Sequence, residues 1–527
     1  MKQIIDLKNW QFEIKALNFK KEVSLPHTWN VDENTEVQLY RGKAEYSTEV
    51  KIEKTFKKAV LYFGCAYHNA SVLINGKLAG VHSGSGYTPF EFEVTKLLKV
   101  GGNSIVVTVD NEPTENMLPH SLDYDWADDG GLTRDVKLYL YEEKDIVNVD
   151  FSYTLTDIHG GLCDGELTIS ADTPSQCGKV EISEYKTEKA VLCLDWDFTD
   201  KKKIQFKNLK FWDTATPNLY NIKVTGENDS YTVRTGFREI KVEGTSVLLN
   251  GRKLFLKGCE WMPGSHPDYG MAEPFEHSQM RIKQLVDAGC EFTRFHWQQD
   301  SSVFALCDEY GLLVQEEIPY WGHPKKATDL QLEIAKNQAT EMVKYHSHHP
   351  SIVCWGVGNE LGGEFSETID YVKKMYAYFK ELDPSRLVNY VSNSVCRDTN
   401  VDLDDATLYG DIAMWNEYLG LWQPCDDVKG VILRTYNKFG EMPSMVTEFG
   451  LCEPAFSGGD ERRCEILKER IPIYKELPNM AGYVWFSLND YRTQCGEAGE
   501  GRLKQRVHGS TDLYGNEKPS YRLFCKI

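Results

Sequence analysis

Two β-sandwiches followed by a (β/α)₈ barrel is the multidomain fold class that this sequence predicts. Three observations predict it. Apolar residues alternate in period two through the first part of the chain, with turn residues between the runs. Beyond "LLNGRKLFLKG" the pattern changes to unbroken apolar runs separated by helical segments, which fits strands buried on both faces with crossover helices. The length of 527 residues is too great for one ordinary core and calls for several domains.

Residues 1–142 form the first sandwich. "KAVLYFGCAY", "ASVLINGKLAGVHS" and "NSIVVTVDN" read as strands, and the Asn75-Gly76 step is a hairpin signal. Residues 143–241 continue in the same grammar with "IVNVDFSYTLTD", "GELTISAD", "KVEISEYK", "NLYNIKVTG" and "YTVRTGFREIKV". Roughly seven short strands in about 100 residues suits an immunoglobulin-like sandwich, although its disulfide hallmark is not evident. In 242–527 the apolar runs are "FLKGCEW", "EFTRFHW", "LLVQEEIP", "SIVCWGVGNE", "RLVNYVSN", "TLYGDIAMWNEY", "SMVTEFG" and "MAGYVWFSLND". Helices are expected around 330–347 and 366–382 and over "RRCEILKERIPIYKEL". Eight strands in about 280 residues is the size of a (β/α)₈ (TIM) barrel.

Composition narrows the function. A formal net charge of −20 argues against a nucleic-acid partner, since phosphate binding needs concentrated positive charge. No run approaches the roughly 20 apolar residues of a membrane helix, so no membrane partner is expected. The start "MKQIIDLKNWQFEI" lacks the apolar core of a signal peptide. The 14 cysteines lack CxxC spacing, which argues against a structural zinc. Reduced thiols in a cytoplasmic protein are the expectation.

The chemistry centres on "CWGVGNEL" at 354–361, a strand-like run that ends on Asn359-Glu360. A buried carboxylate costs free energy unless something compensates, and burial raises its pKa into the range of a neutral-pH proton donor. Glu360 ends the fourth run and Glu448, in "MVTEFG", the seventh. Functional groups of such barrels sit at the carboxyl ends of strands, so both project over one mouth. That is the carboxylate pair glycoside hydrolysis needs; the alternative is two salt-bridged structural residues.

The chain resembles glycoside hydrolase family 2, the β-galactosidases, β-glucuronidases and β-mannosidases. The resemblance is carried by "PHTWN" at 26–30, "SVLINGKLAGVHSGSGYTPFEFEVT", "GLTRDVKLY", "TGFREIKVEGTSVLLNGRKLFLKG", "HHPSIVCWGVGNEL" and "VTEFG". It implies a jelly-roll first domain and an exo-acting, retaining β-glycosidase that needs no organic cofactor; no metal-ligand pattern is read from the sequence, and a metal at the acidic loop stays open. Glu360 is then the acid/base, Glu448 the nucleophile, and Asn359 the partner of the sugar 2-hydroxyl. "FTRFHWQQD" resembles the family's strand-two segment and adds Arg294 and His296, which stand one residue closer together than in the family pattern. "WNEYLGLW" adds Asn416 and Tyr418 near the nucleophile. Trp485 is expected either as an apolar platform for the sugar or as core. The acidic loop "LDYDWADDGG", with Asp123, Asp125, Asp128 and Asp129, is either solvated or reaches over the barrel mouth; Asp129 is the expected sugar contact. Family analogy alone suggests a homo-oligomer.

The glycone stays open. Glucuronidases of the family carry Asn-x-Lys after strand eight, where this sequence has His508-Gly509-Ser510. Just upstream, "GRLKQRVHG" places Arg502, Lys504 and Arg506 in the same loop, either solvated or replacing the lysine as carboxylate readers. Galactoside and uronide are rivals, and mannoside or another family specificity is an alternative. A non-catalytic carbohydrate-binding homologue would have lost one of the two glutamates.

Overall fold

The structure is a computed structural model that describes residues 2–120, 124–322, 326–397, 404–493 and 504–527. In the first sandwich a six-stranded sheet runs in the order 19–24, 9–14, 43–52, 101–110, 69–74, 77–82. A four-stranded sheet pairs 3–6, 136–141, 58–63 and 90–93. Period-two burial is explicit in Gly101–Asp110, where Asn103, Ile105, Val107 and Val109 face inward. Asn75 and Gly76 connect Asn69–Ile74 to Lys77–His82, and both take positive φ, +52° and +75°. That is what a two-residue turn matched to strand twist requires.

The second sandwich splits its seven strands into sheets of three (148–159, 162–172, 202–210) and four (190–196, 178–184, 220–225, 230–235). Just after its last strand, Arg238 is buried and donates to the carbonyls of Pro350, Ile352 and Ser385. A guanidinium can satisfy several orphan carbonyls at once, and here it ties the sandwich to the amino-terminal end of the barrel.

The barrel is closed by eight strands: β1 (Leu256–Cys259), β2 (Phe292–Phe295), β3 (Leu313–Glu317), β4 (Ile352–Asn359), β5 (Leu387–Ser392), β6 (Ala413–Asn416), β7 (Ser444–Glu448) and β8 (Met480–Trp485). Their pairings are all parallel. Every residue of β4 is buried, as an unbroken apolar run requires when helices cover one face and side-chain layers the other. The helices are α1 (Phe275–Asp287), α2 (Ser301–Tyr310), α3 (Asp329–His346), α4 (Ser366–Leu382), α5 (Val428–Lys438), α6 (Gly459–Glu476) and α7 (Pro519–Phe524). The described part of the β5–β6 connection carries a 3-10 turn at Ala406–Tyr409. No helix among the described residues is long and apolar enough to cross a membrane.

What positions the site is the segment after residue 124. It leaves the first sandwich and lies across the carboxyl ends of the barrel strands. Arg134 donates to the carbonyl of Gln298 at 2.6 Å, and the Tyr491 hydroxyl donates to Asp125 at 2.9 Å. The barrel mouth is therefore roofed on one side by another domain.

Candidate active site

β4 ends in a turn that breaks strand alternation. Glu360 takes φ +56°, left-handed backbone that costs a non-glycine residue about 1 kcal/mol or more. Three hydrogen bonds hold it there: Asn359 N to the Tyr320 carbonyl, Glu360 N to the Val391 carbonyl, and Leu361 N to the Tyr390 hydroxyl, at 2.9, 2.9 and 2.7 Å. Neighbours in a strand point to opposite faces, but this turn brings Asn359 and Glu360 to one partner. Asn416 Nδ2, at the end of β6, donates to Asn359 Oδ1 at 3.0 Å and to Glu360 Oε1 at 2.7 Å. Burial, reinforced by the negative charge of Glu448, pushes the Glu360 carboxyl up to about 7.

Glu448 ends β7 in a different environment. Arg294 Nη1 donates to its Oε1 and the Tyr418 hydroxyl to its Oε2, both at 2.8 Å. Burial and the adjacent Glu448 charge drive the Tyr418 phenol well above its ordinary value, so it stays protonated and donates. The spacing of Arg294 and His296, shorter than the family pattern, still brings Arg294 onto the carboxylate.

Arg294 is itself enclosed by carboxylates. It makes paired contacts to Glu317 on β3 at 3.1 Å and lies 3.5 Å from Glu260, just beyond β1. Burial would strip its proton, but Glu317, Glu260 and Glu448 together raise its pKa, and it remains a guanidinium. Burial works against Glu317 most strongly, yet the charges and hydrogen bonds of Arg294 and His296 together outweigh it and hold that carboxyl below its ordinary value. Glu260 is pushed up to about 8 by burial. His296 contacts Glu260, Glu317 and Glu448 at 3.3 to 3.5 Å, and these carboxylates lift its pKa against burial. Ligand atoms of Glu260, His296 and Glu448 converge within 4.8 Å, as metal ligands do, but the Arg294 guanidinium already bridges two of the three. Arg294→Met should therefore lower folding stability by about 3–5 kcal/mol, because it leaves buried carboxylates without their cation. Denaturant titration measures it; a loss under 1 kcal/mol would make the guanidinium dispensable.

Glu360 and Glu448 border one cavity of about 310 Å³, with Trp126, His296, Tyr418 and Phe486 among its walls. Larger depressions, of about 610 and 580 Å³, lie on the first sandwich and between it and the barrel; neither borders these glutamates.

Three expectations need correction. Trp485 does not line the cavity. It is fully buried, donates to the Ser510 hydroxyl at 2.8 Å and packs edge-on against Phe449, while its neighbour Phe486 faces the cavity. The acidic loop does reach over the mouth, but Asp129 is locked into a two-point ion pair with Arg492 at 2.7 and 3.0 Å. Asp125 takes the position on the cavity wall instead. Of the basic run, Arg502 lies outside the described residues, and Lys504 is not among the cavity walls; Arg506 is, 3.0 Å from Asp125. Asp123 also lies outside the described residues.

Sequence reasoning missed Glu260 and Glu317, although both stand at strand ends like the two it found. It also missed Trp126 and Trp321, whose loops carry no local signal of direction.

Three family models match consecutive parts of the chain: "Glycosyl hydrolases family 2, sugar binding domain" over 7–141, "Glycosyl hydrolases family 2" over 134–238, and "Glycosyl hydrolases family 2, TIM barrel domain" over 240–471. A putative β-glucuronidase of Formosa agariphila is 30% identical over 72% of this chain, which spans about half (49%) of that protein. A β-galactosidase of Thermoanaerobacterium thermosulfurigenes is 28% identical over 98% of this chain and 74% of its own length. Among solved structures, a β-galacturonidase from Eisenbergiella tayi bound to galacturonate matches with a TM-score of 0.84 and 25% identity, over 100% of this chain and 97% of its own.

Proposed function

The chain belongs to glycosyl hydrolase family 2, and from that premise we propose that it is an exo-acting, retaining β-glycosidase in which Glu360 is the acid/base and Glu448 the nucleophile. The observation that carries the roles is the unequal environment of the two carboxyls. Glu360 is buried beside a negative neighbour with its pKa near 7, and so holds a proton to give. Glu448 accepts a hydrogen bond on each carboxylate oxygen, from a guanidinium and from a phenol, and is aimed by both.

In the first displacement Glu448 attacks the anomeric carbon as Glu360 protonates the departing oxygen. The ester that forms removes the Glu448 charge. That charge is one of the two causes that raise the Glu360 pKa, so its loss lowers the pKa and turns Glu360 into the base that takes a proton from water. Asn359 Nδ2, buried with no hydrogen-bond partner among the described residues, is the donor for the sugar 2-hydroxyl. No organic cofactor enters this scheme.

The glycone is a β-linked hexuronic acid. Arg506 on the cavity wall supports this, since a guanidinium can give a carboxylate two parallel hydrogen bonds where the lysine of Asn-x-Lys is missing. A β-galactoside is the second reading, favoured by the Asp125–Arg506 ion pair, which could read neutral hydroxyls as acceptor and donor. Release of p-nitrophenol from a panel of β-glycosides distinguishes them. Uronides should turn over fastest, and Arg506→Ala should lower their kcat/KM by roughly 10- to 100-fold relative to neutral glycosides, the worth of a charge-assisted bond. Galactoside turnover above both glucuronide and galacturonide, with no selectivity in Arg506→Ala, would overturn the uronide reading.

Buried free thiols such as Cys65, Cys259 and Cys307 fit a reducing cytoplasm, and analogy within the family suggests a homo-oligomer.

A further inference from the structure

Strand order divides the cavity into two ends. A proton donor must lie against the leaving oxygen, so the strands beside Glu360 border the path of the departing group. In the closed barrel β4 is flanked by β3 and β5. Trp321, beyond β3, has its backbone bridged to Asn359; Asn393 and Arg397 follow β5; Trp422 follows β6. All four line the cavity with Glu360. Arg506 and His508 come from beyond β8, across the barrel; they line the same cavity, and the Arg506 guanidinium lies 5.9 Å from the Trp422 ring centroid.

The residues beyond β3, β5 and β6 have specific chemistry. Trp422 is 46% exposed, unusual for so large an apolar ring, and the Phe456 ring braces it edge-on at 4.6 Å. An indole fixed at the rim of a cavity is a stacking surface for the C–H face of a sugar. The Asn393 amide oxygen is buried with no hydrogen-bond partner among the described residues, while its backbone carbonyl is held by Gln423 Nε2 at 3.1 Å. A buried acceptor left unpaired is costly, and a hydroxyl is the donor that would satisfy it. Arg397 is anchored to Glu364 through Nη1 at 3.3 Å, yet its side chain is 47% exposed. Its fork of N–H donors is open to hydroxyls of a bound ring.

We propose that Trp321, Asn393 and Arg397 form a leaving-group subsite for a pyranose ring, with Trp422 at its border with the glycone. The substrate is accordingly an oligosaccharide cleaved at its non-reducing end, not an aryl or alkyl conjugate. An aryl group would use the indoles and leave the polar pair unanswered; an alkyl chain would use neither. This rests on the assignment of Glu360 as the acid.

The test compares kcat/KM for a p-nitrophenyl β-glycoside with that for disaccharides sharing its glycone, in the wild type, Trp321→Ala, Trp321→Phe and Arg397→Ala. The ratio of disaccharide to aryl efficiency should fall roughly tenfold in Trp321→Ala, the worth of one aromatic contact, and recover in Trp321→Phe. Arg397→Ala should lower the same ratio. A ratio unchanged in both alanine variants overturns the subsite, as does a wild-type enzyme that cleaves the aryl glycoside and leaves every disaccharide intact. Both of those outcomes leave the hydrolase reading standing. Absence of turnover on any β-glycoside would overturn the hydrolase reading itself.

Discussion

Replacing Glu448 by glutamine should reduce turnover of every β-glycoside by roughly four to six orders of magnitude, since no other group in the site can form the ester. The amide keeps the volume, so the fold should survive, although Arg294 loses one of its counter-ions. A sharper form of the experiment uses Glu448→Ala with azide. The anion enters through the space the carboxylate vacates and displaces the leaving group from the opposite face, so the product should be an α-glycosyl azide. A β-glycosyl azide from this variant, or near-normal activity of Glu448→Gln, would reassign the nucleophile.

Glu360→Gln should show its loss selectively. With a poor leaving group such as a sugar, which must be protonated as it departs, kcat/KM should fall by roughly 10²–10⁴-fold. With 2,4-dinitrophenol as leaving group the first step needs no proton, and the deficit should move to hydrolysis of the accumulated glycosyl-enzyme, visible as a burst. The wild-type pH profile follows from the same group. The raised carboxyl, near 7, is protonated below that value and loses its proton above it, so kcat/KM on poor leaving groups should decline as pH rises through about 7. Removing the Glu448 charge should shift the Glu360 titration downward, measurable by NMR in Glu448→Gln. Equal losses on good and poor leaving groups in Glu360→Gln would remove Glu360 from the acid role.

Strand ends account for how much of the site could be read in advance. Glu360 and Glu448 sit at the ends of unbroken apolar runs, and a barrel brings all such ends to one face. The same rule applies to Glu260 and Glu317, whose side chains hold Arg294 instead. Position along a strand is a local property; which carboxyl faces a cation and which faces another carboxyl is not. Glu316 and Glu317 make this plain. They are adjacent in β3, yet Glu316 turns outward to His346 on α3 while Glu317 turns inward to Arg294.

The sequence by itself determined the order of the three folding units, the barrel and its strands, and the placing of Glu360 and Glu448 at strand ends over one cavity. Periodicity and turn residues are encoded within a few positions, and so are legible without the fold. Only the tertiary structure decided that Phe486 and not Trp485 faces the cavity, that Asp125 and not Asp129 borders it, and that Arg506 stands on its wall. The first turns on a single step along the chain, and the first two on partners far away in it, Ser510 for Trp485 and Arg492 for Asp129. Alternation says that neighbours point apart, but only packing against the rest of the molecule says which one points in.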